Sequence, residues 1–163
     1  SDIAKRAGCS VGAVYFRFAD KDALFFAIVE SFRAGVREQL PAVLATQYRS
    51  VDEVIQGYVA ATAHQFRQHR GLFRAIVEHG FEHSLAMNMM FELRGEMQAT
   101  LETNLAKFIR ADLAFTVRMM TQIVYGFLLT AVLNDRAPTR LDDARTIREL
   151  SVVLMAYLKE VRS

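Results

Sequence analysis

Asp2-Ile3-Ala4-Lys5-Arg6-Ala7-Gly8-Cys9-Ser10-Val11-Gly12-Ala13-Val14-Tyr15-Phe16-Arg17-Phe18 reads as two short helices folded around a glycine turn. Ala4 is small where two helices must cross closely, Gly8 supplies a turn with positive φ, and Val14 faces inward behind it. Ile3, Ala7 and Val11 complete an apolar seam between the helices. Ser10 stands at an N-cap position, where its hydroxyl accepts from the free amides opening a helix over Val11 to Phe16.

The outward side of that second helix carries Gly12 and Ala13 near its positive end, then Tyr15, Arg17 and, just beyond, Lys21. Small residues let a helix approach a major groove closely, and hydroxyl, guanidinium and ammonium groups reach phosphates. Ala4, Gly8 and Val14 alone also suit a helical hairpin packed in an ordinary core.

More than those three positions match. The runs Asp2 to Gly8 and Ser10 to Tyr15, then Phe18, then Asp20 to Phe25, resemble the DNA-binding region of the tetracycline-repressor (TetR) family of bacterial transcription regulators. The resemblance implies that Ser10, Gly12 and Ala13 approach the groove and that Tyr15 hydrogen-bonds a phosphate. Lys21, behind an N-cap-like Asp20, holds a second phosphate, and Phe18 anchors the recognition helix from below. Two positions depart from the pattern. Phe16 stands where relatives often carry a polar or basic side chain, so any base reading there is apolar, as against a thymine methyl. Cys9 replaces a commonly aliphatic residue and is read as turn packing. The family's head has a further helix before Asp2, so the sequence is expected to begin inside that domain.

Composition agrees with an all-α protein: a helix-turn-helix DNA-binding head followed by a helical ligand-binding and dimerisation domain. Of 163 residues, 52% are hydrophobic, with two prolines and no tryptophan, which suits long packed helices. The expected division places the partial head and its connecting helix at 1–40 and the effector-binding and dimerisation body at 41–163. The formal charge of +2 is concentrated: Lys5, Arg6, Arg17 and Lys21 face only Asp2 and Asp20 up to residue 21, and the rest of the chain is balanced. One cysteine cannot form an internal disulfide, so a reducing cytoplasm is the expected compartment. The apolar run from Val117 to Leu133 is interrupted by Arg118 and Gln122 and is shorter than the roughly 20 residues a bilayer needs. It reads as a helix buried by protein, and no membrane partner is expected.

Punctuation divides the remainder. Leu24, Phe25, Ile28, Phe32, Val36 and Leu40 recur at helical spacing until Pro41, describing a connecting helix. Asp52 and Glu53 open another, with Val54, Ile55, Tyr58, Val59, Thr62 and Phe66 inward and His69 with Arg70 at its negative end. A break at Gly71 precedes a shorter helix with Leu72, Phe73, Ile76 and Val77, and a longer one runs from Gly80 to Phe108. Two more are expected from about Asp112 to Leu133 and from about Leu141 to Val161.

Those last two helices carry more apolar surface than one inner face requires. Val124, Phe127, Leu128 and Ala131, with Leu150, Val153, Leu154 and Tyr157, are expected to meet a symmetry mate in a four-helix bundle, giving a homodimer. Two heads then reach half-sites about 34 to 36 Å apart on double-stranded operator DNA. Between connecting helix and dimer helices, the apolar groups Phe66, Phe81, Met87, Met90, Phe91 and Phe115 suit an adaptable cavity for a small-molecule effector. His64, Arg94, Arg118, Gln122 and Tyr125 are its candidate polar contacts.

His79-Gly80-Phe81-Glu82-His83 supplies the alternative chemistry: H-x-x-E-H spacing suits a helical metal-binding protein or a zinc hydrolase, with histidines one turn apart on the metal and the glutamate activating water. Gly80 interrupts the helix and no third ligand can be identified, so no cofactor, metal or catalytic residue is assigned. No nucleophile triad or phosphate-binding glycine loop competes.

Overall fold

The computed structural model describes Lys5, Gly8 and residues 10–79, 84–110, 112–134, 141 and 143–162, the side chains of 79, 84 and 162 excepted. Among these residues the protein is wholly helical: α1 Val11–Arg17, α2 Lys21–Ala45, α3 Val51–Gln68, α4 Arg70–His79, α5 Ser84–Ala106, α6 Ala114–Leu133 and α7 Ala144–Arg162. The all-α expectation and the order of helices agree.

Local chemistry places the first three helix starts. The Ala13 amide donates to Ser10 Oγ at 3.1 Å, the Ala23 amide to Asp20 Oδ1 at 2.7 Å, and the Glu53 amide to Ser50 Oγ at 3.2 Å. Glu53 reaches back to accept from the Arg49 amide at 2.8 Å, which ties the turn before α3 in the manner of a capping box. Gly8 does adopt positive φ, at 65°.

Two boundaries differ from expectation for reasons of tertiary structure. Proline lacks the amide that would continue the ladder and ordinarily ends a helix, yet α2 carries Pro41 inside it and continues to Ala45. The turn beyond Pro41 is held from outside: Asn104 Nδ2 donates to the Val43 carbonyl and Lys107 Nζ to that of Leu44, both at 3.4 Å. Arg70 opens α4 instead of closing α3. Its Nε and Nη2 donate to the Val132 carbonyl at 3.3 and 3.0 Å, and Arg74 Nη2 donates to that of Leu133 at 3.2 Å, so two cations satisfy the negative end of α6.

Helix α3 lies at the centre, touching α4, α5, α6 and α7, while α2 packs along α5. The core of α3 is Val54, Ile55, Val59, Ala63 and Phe66. Phe66 stacks on Phe73 with centroids 3.9 Å apart and meets the edge of Tyr125 at 5.3 Å; Phe32 of α2 reaches Phe73 at 5.5 Å. At 20 residues α6 is longer than its sequence run suggested, and it is long and apolar enough to cross a membrane. Eight of its residues, including Val117, Met120, Val124 and Leu128, are instead buried within this chain, which is the pattern of a core helix.

Replacing Phe66 removes a fully buried ring and both partners' contacts. Phe66→Ala is expected to lower unfolding stability by about 3–5 kcal/mol in denaturant titration; a loss of under about 1 kcal/mol would contradict this packing.

Candidate nucleic-acid interface and interior cavity

Helix α1 buries none of its residues. Ser10, Gly12, Ala13, Tyr15, Phe16, Arg17 and Lys21 are all exposed, with Tyr15 at 56% and Phe16 at 96%. An aromatic ring left this free has no role in folding the chain around it. A Cβ added at Gly12 would meet only Ser10 Oγ, at 3.9 Å, so its small size answers no packing need within the chain and leaves the outward surface low. Phe18 is half-buried at the end of α1, where its amide donates to the Val14 carbonyl at 2.9 Å. Ile3, Ala4, Ala7 and Cys9 lie outside the described residues.

From Lys21, α2 runs without interruption into the body. Arg33 and Arg37, one turn apart on α2, face Glu92 and Glu96, one turn apart on α5. Arg33 is buried and donates to Glu92 Oε2 at 3.0 Å and to Glu30 Oε2 at 3.3 Å. Arg37 Nε donates to both Glu96 oxygens, at 2.9 and 3.1 Å. This two-rung ladder fixes the register of α2 on α5 by bidentate geometry. Hydrogen bonding from Arg37, opposed by slight desolvation, holds the Glu96 carboxyl below its ordinary range.

Beyond the ladder a pocket of about 100 Å³, partly open to solvent beside Gln39 and Ala61, lies between α2, α3 and α5, walled by Val36, Leu40, Val43, Tyr48, Val54, Tyr58, Met97 and Leu101, with Thr62, Gln65, Thr100 and Asn104 as further polar members. Gly57 lets the Tyr48 ring pack closely here, since a Cβ would sit 3.3 Å from it. Burial and neighbouring Tyr125 push the Tyr58 hydroxyl well above the tyrosine range, and burial raises Tyr125 to about 12.

None of the residues expected to form an effector cavity lines this one. His64 is exposed, and Phe66 is consumed by aromatic stacking in the core. Met87 and Met90 are half-buried against the core, and Tyr125 donates to Met97 Sδ at 3.4 Å. Phe91 and Phe115 are 59% and 62% exposed, because α5 and α6 turn other faces inward. Phe91, Arg94, Arg118 and Gln122 do come together, with Gln98 and Met119, but in an open groove between α5 and α6. There Arg94 donates to Gln122 at 2.8 Å and lies 5.0 Å from the Tyr125 centroid, and Arg118 lies 5.9 Å from that of Phe115. Phe81, Glu82 and His83 lie outside the described residues, as does the His79 side chain.

The dimer expectation is corrected in its residues. Val124, Leu128 and Leu154 are fully buried, and Ala131 and Leu150 nearly so, because this seam packs α6 and α7 into their own subunit. Phe127 and Tyr157 are half-buried and Val153 is exposed. The free apolar surface lies beside them, at Met119 and Leu133 on α6 and Val152 and Val153 on α7.

A short helix with no buried residue, α1, followed by one long helix that runs into an all-helical body, is the arrangement of a DNA-binding transcription regulator. Residues 1–28 match the family described as bacterial regulatory proteins, tetR family, and residues 50–158 match the tetracyclin repressor-like C-terminal domain. The chain belongs to the TetR family. The crystal structure of a TetR family transcriptional regulator, PfmR from Thermus thermophilus, has a similar fold: TM-score 0.68 at 15% identity, over 95% of this chain and 86% of that one. No curated protein matches the chain.

Because the folded-state acidity of Glu96 is strengthened by Arg37, the ladder contributes stability above the ordinary glutamate pKa and loses it as pH falls through the lower folded value. NMR titration is expected to place Glu96 below a reference glutamate and to return it to the ordinary range in Arg37→Gln. Equal titration in both proteins would show that the rung does not persist in solution.

Proposed function

We propose that the protein is a ligand-responsive transcriptional repressor that binds operator DNA as a homodimer and releases it when a small apolar or amphipathic molecule occupies the body. The single observation that carries this reading is the exposure of Tyr15, Phe16 and Arg17 on α1 and of Lys21 at the start of α2, the helix that also lines the pocket in the body. In this account Tyr15 and Lys21 secure phosphates, the Ser10, Gly12 and Ala13 edge enters the major groove, and Phe16 offers apolar contact to a thymine methyl. Residues 1–40 act as the head with its connecting helix and 41–163 as the effector and dimerisation body.

Dimerisation through α6 and α7 brings two heads to half-sites about 34 to 36 Å apart or a multiple of that spacing. Met119 and Leu133 on α6 and Val152 and Val153 on α7 are exposed apolar side chains that a second copy would cover. A bound molecule must favour one head spacing over the other, because equal affinity for both states shifts nothing. Operator DNA then weakens effector binding by the same factor. The protein acts in the cytoplasm without a membrane partner. The family match does not favour the hydrolase alternative, whose Glu82 and His83 lie outside the described residues.

Tyr15→Phe and Lys21→Ala are expected to weaken binding to all DNA sequences several-fold in fluorescence anisotropy, with Lys21→Ala also lowering the salt slope by about one. Unchanged affinity in both variants would refute the contact assignment. Sedimentation is expected to show a dimer at micromolar concentration and a monomer for Val153→Asp; a monomeric parent protein would refute the assembly.

A further inference from the structure

We infer that Phe16 reads the C5-methyl group of a pyrimidine in the major groove whichever base carries it, so that 5-methylcytosine serves where thymine does and methylation of a cytosine at that position strengthens operator binding; this rests on reading α1 as the surface presented to DNA. Successive residues of a helix turn by about 100°, which sets Phe16 at the middle of the outward face of α1. Gly12 and Ala13 share that face one turn earlier and carry nothing beyond a Cβ. Half-buried Val14 points the opposite way, and exposed Tyr15 and Arg17 stand about 100° to either side of Phe16. The face therefore has one prong, apolar, above a floor of two small residues, with a hydroxyl and a guanidinium on its flanks. A helix laid in a major groove meets base edges along its central line and phosphates on its flanks.

The prong is not used in folding. Phe16 is 96% exposed, more than any other large apolar side chain among the described residues. Its chemistry decides what it can read. The groups that base pairs present in the major groove are hydrogen-bond donors and acceptors, with the C5-methyl as the apolar exception. A phenyl ring offers no partner to a donor or acceptor, and covering one removes it from water uncompensated. Covering a methyl is favourable, by about fourfold in affinity for one such group.

Little else in α1 competes for this role. The helix holds no Asn, Gln, Asp, Glu or Lys, and Arg17, the one residue there suited to bidentate base contact, lies on the flank. Ser10 Oγ already caps the helix by accepting from the Ala13 amide at 3.1 Å. The methyl of 5-methylcytosine stands on the same ring carbon as that of thymine, while the neighbouring group changes from the O4 acceptor to the N4 donor. A side chain blind to hydrogen bonding does not distinguish the two.

The test uses a genomic fragment retained by the protein, altered one base at a time, with affinity read by fluorescence anisotropy. Deoxyuridine in place of a thymine removes only the methyl. The inference predicts a thymine in each half-site at which this weakens binding about fourfold, and about fifteenfold when both half-sites are altered. At the same position 5-methylcytosine should bind about fourfold more tightly than cytosine. Phe16→Ala, a change at a side chain that supports no packing, should bring both ratios to about one, and Phe16→Leu, which keeps an apolar tip, should retain a methyl preference of at least about twofold. No position sensitive to deoxyuridine, sensitivity that survives Phe16→Ala, a preference lost in Phe16→Leu, or cytosine and 5-methylcytosine bound alike overturns the inference and leaves DNA binding by α1 standing. A protein that retains no fragment refutes the reading of α1 and the inference with it.

Discussion

The constraint on which the structure depends is that α2 is a single helix with two obligations. Its first turn, capped by Asp20, carries Lys21 beside α1, and its middle is clamped to α5 through Arg33 with Glu92 and Arg37 with Glu96. A helix transmits rotation and translation along its length. Any displacement of its seat in the body is therefore delivered to the head, 25 residues being one continuous element. Phe32 adds an apolar contact to the same seat through Phe73, so charge geometry and packing specify one register.

The placement of the cavity follows from this constraint. Past the ladder, the last carbonyls of α2 accept bonds from Asn104 and Lys107, and Pro41 has removed one bond from its own ladder. This is where α2, α3 and α5 leave a pocket between them. Phe66, stacked on Phe73 and met edge-on by Tyr125, continues the packing one turn beyond Thr62 of the wall.

The head was legible in the sequence because its signals are local. Ser10 and Asp20 cap within three residues of their partners, Gly8 meets a backbone need of its own, and exposed Tyr15 and Lys21 depend on nothing distant. The body was legible as helices but not as faces. Helix α5 carries apolar side chains around its circumference, so Leu85 and Phe91 point outward while Ala86, Met89 and Leu93 point inward, and periodicity cannot distinguish them. The cavity joins residues from three helices far apart in sequence. Tyr58 and Thr62 were readable as inward-facing, but their meeting with Leu40 and Met97 is a tertiary fact. The apolar seam of Val124, Leu128 and Leu154 misled for the same reason: a helix between two packing partners looks the same in sequence whether the second partner is its own chain or another copy.

The most direct test of the central claim, that α1 is the surface presented to DNA, is photo-crosslinking of the protein to genomic fragments it retains, with a benzophenone side chain placed at Phe16 or, in a second protein, at Phe91. Both positions are strongly exposed, so reactivity alone does not favour either. The account predicts DNA adducts from position 16 and none from position 91. Adducts from 91, or none from 16 while DNA remains bound, would contradict it.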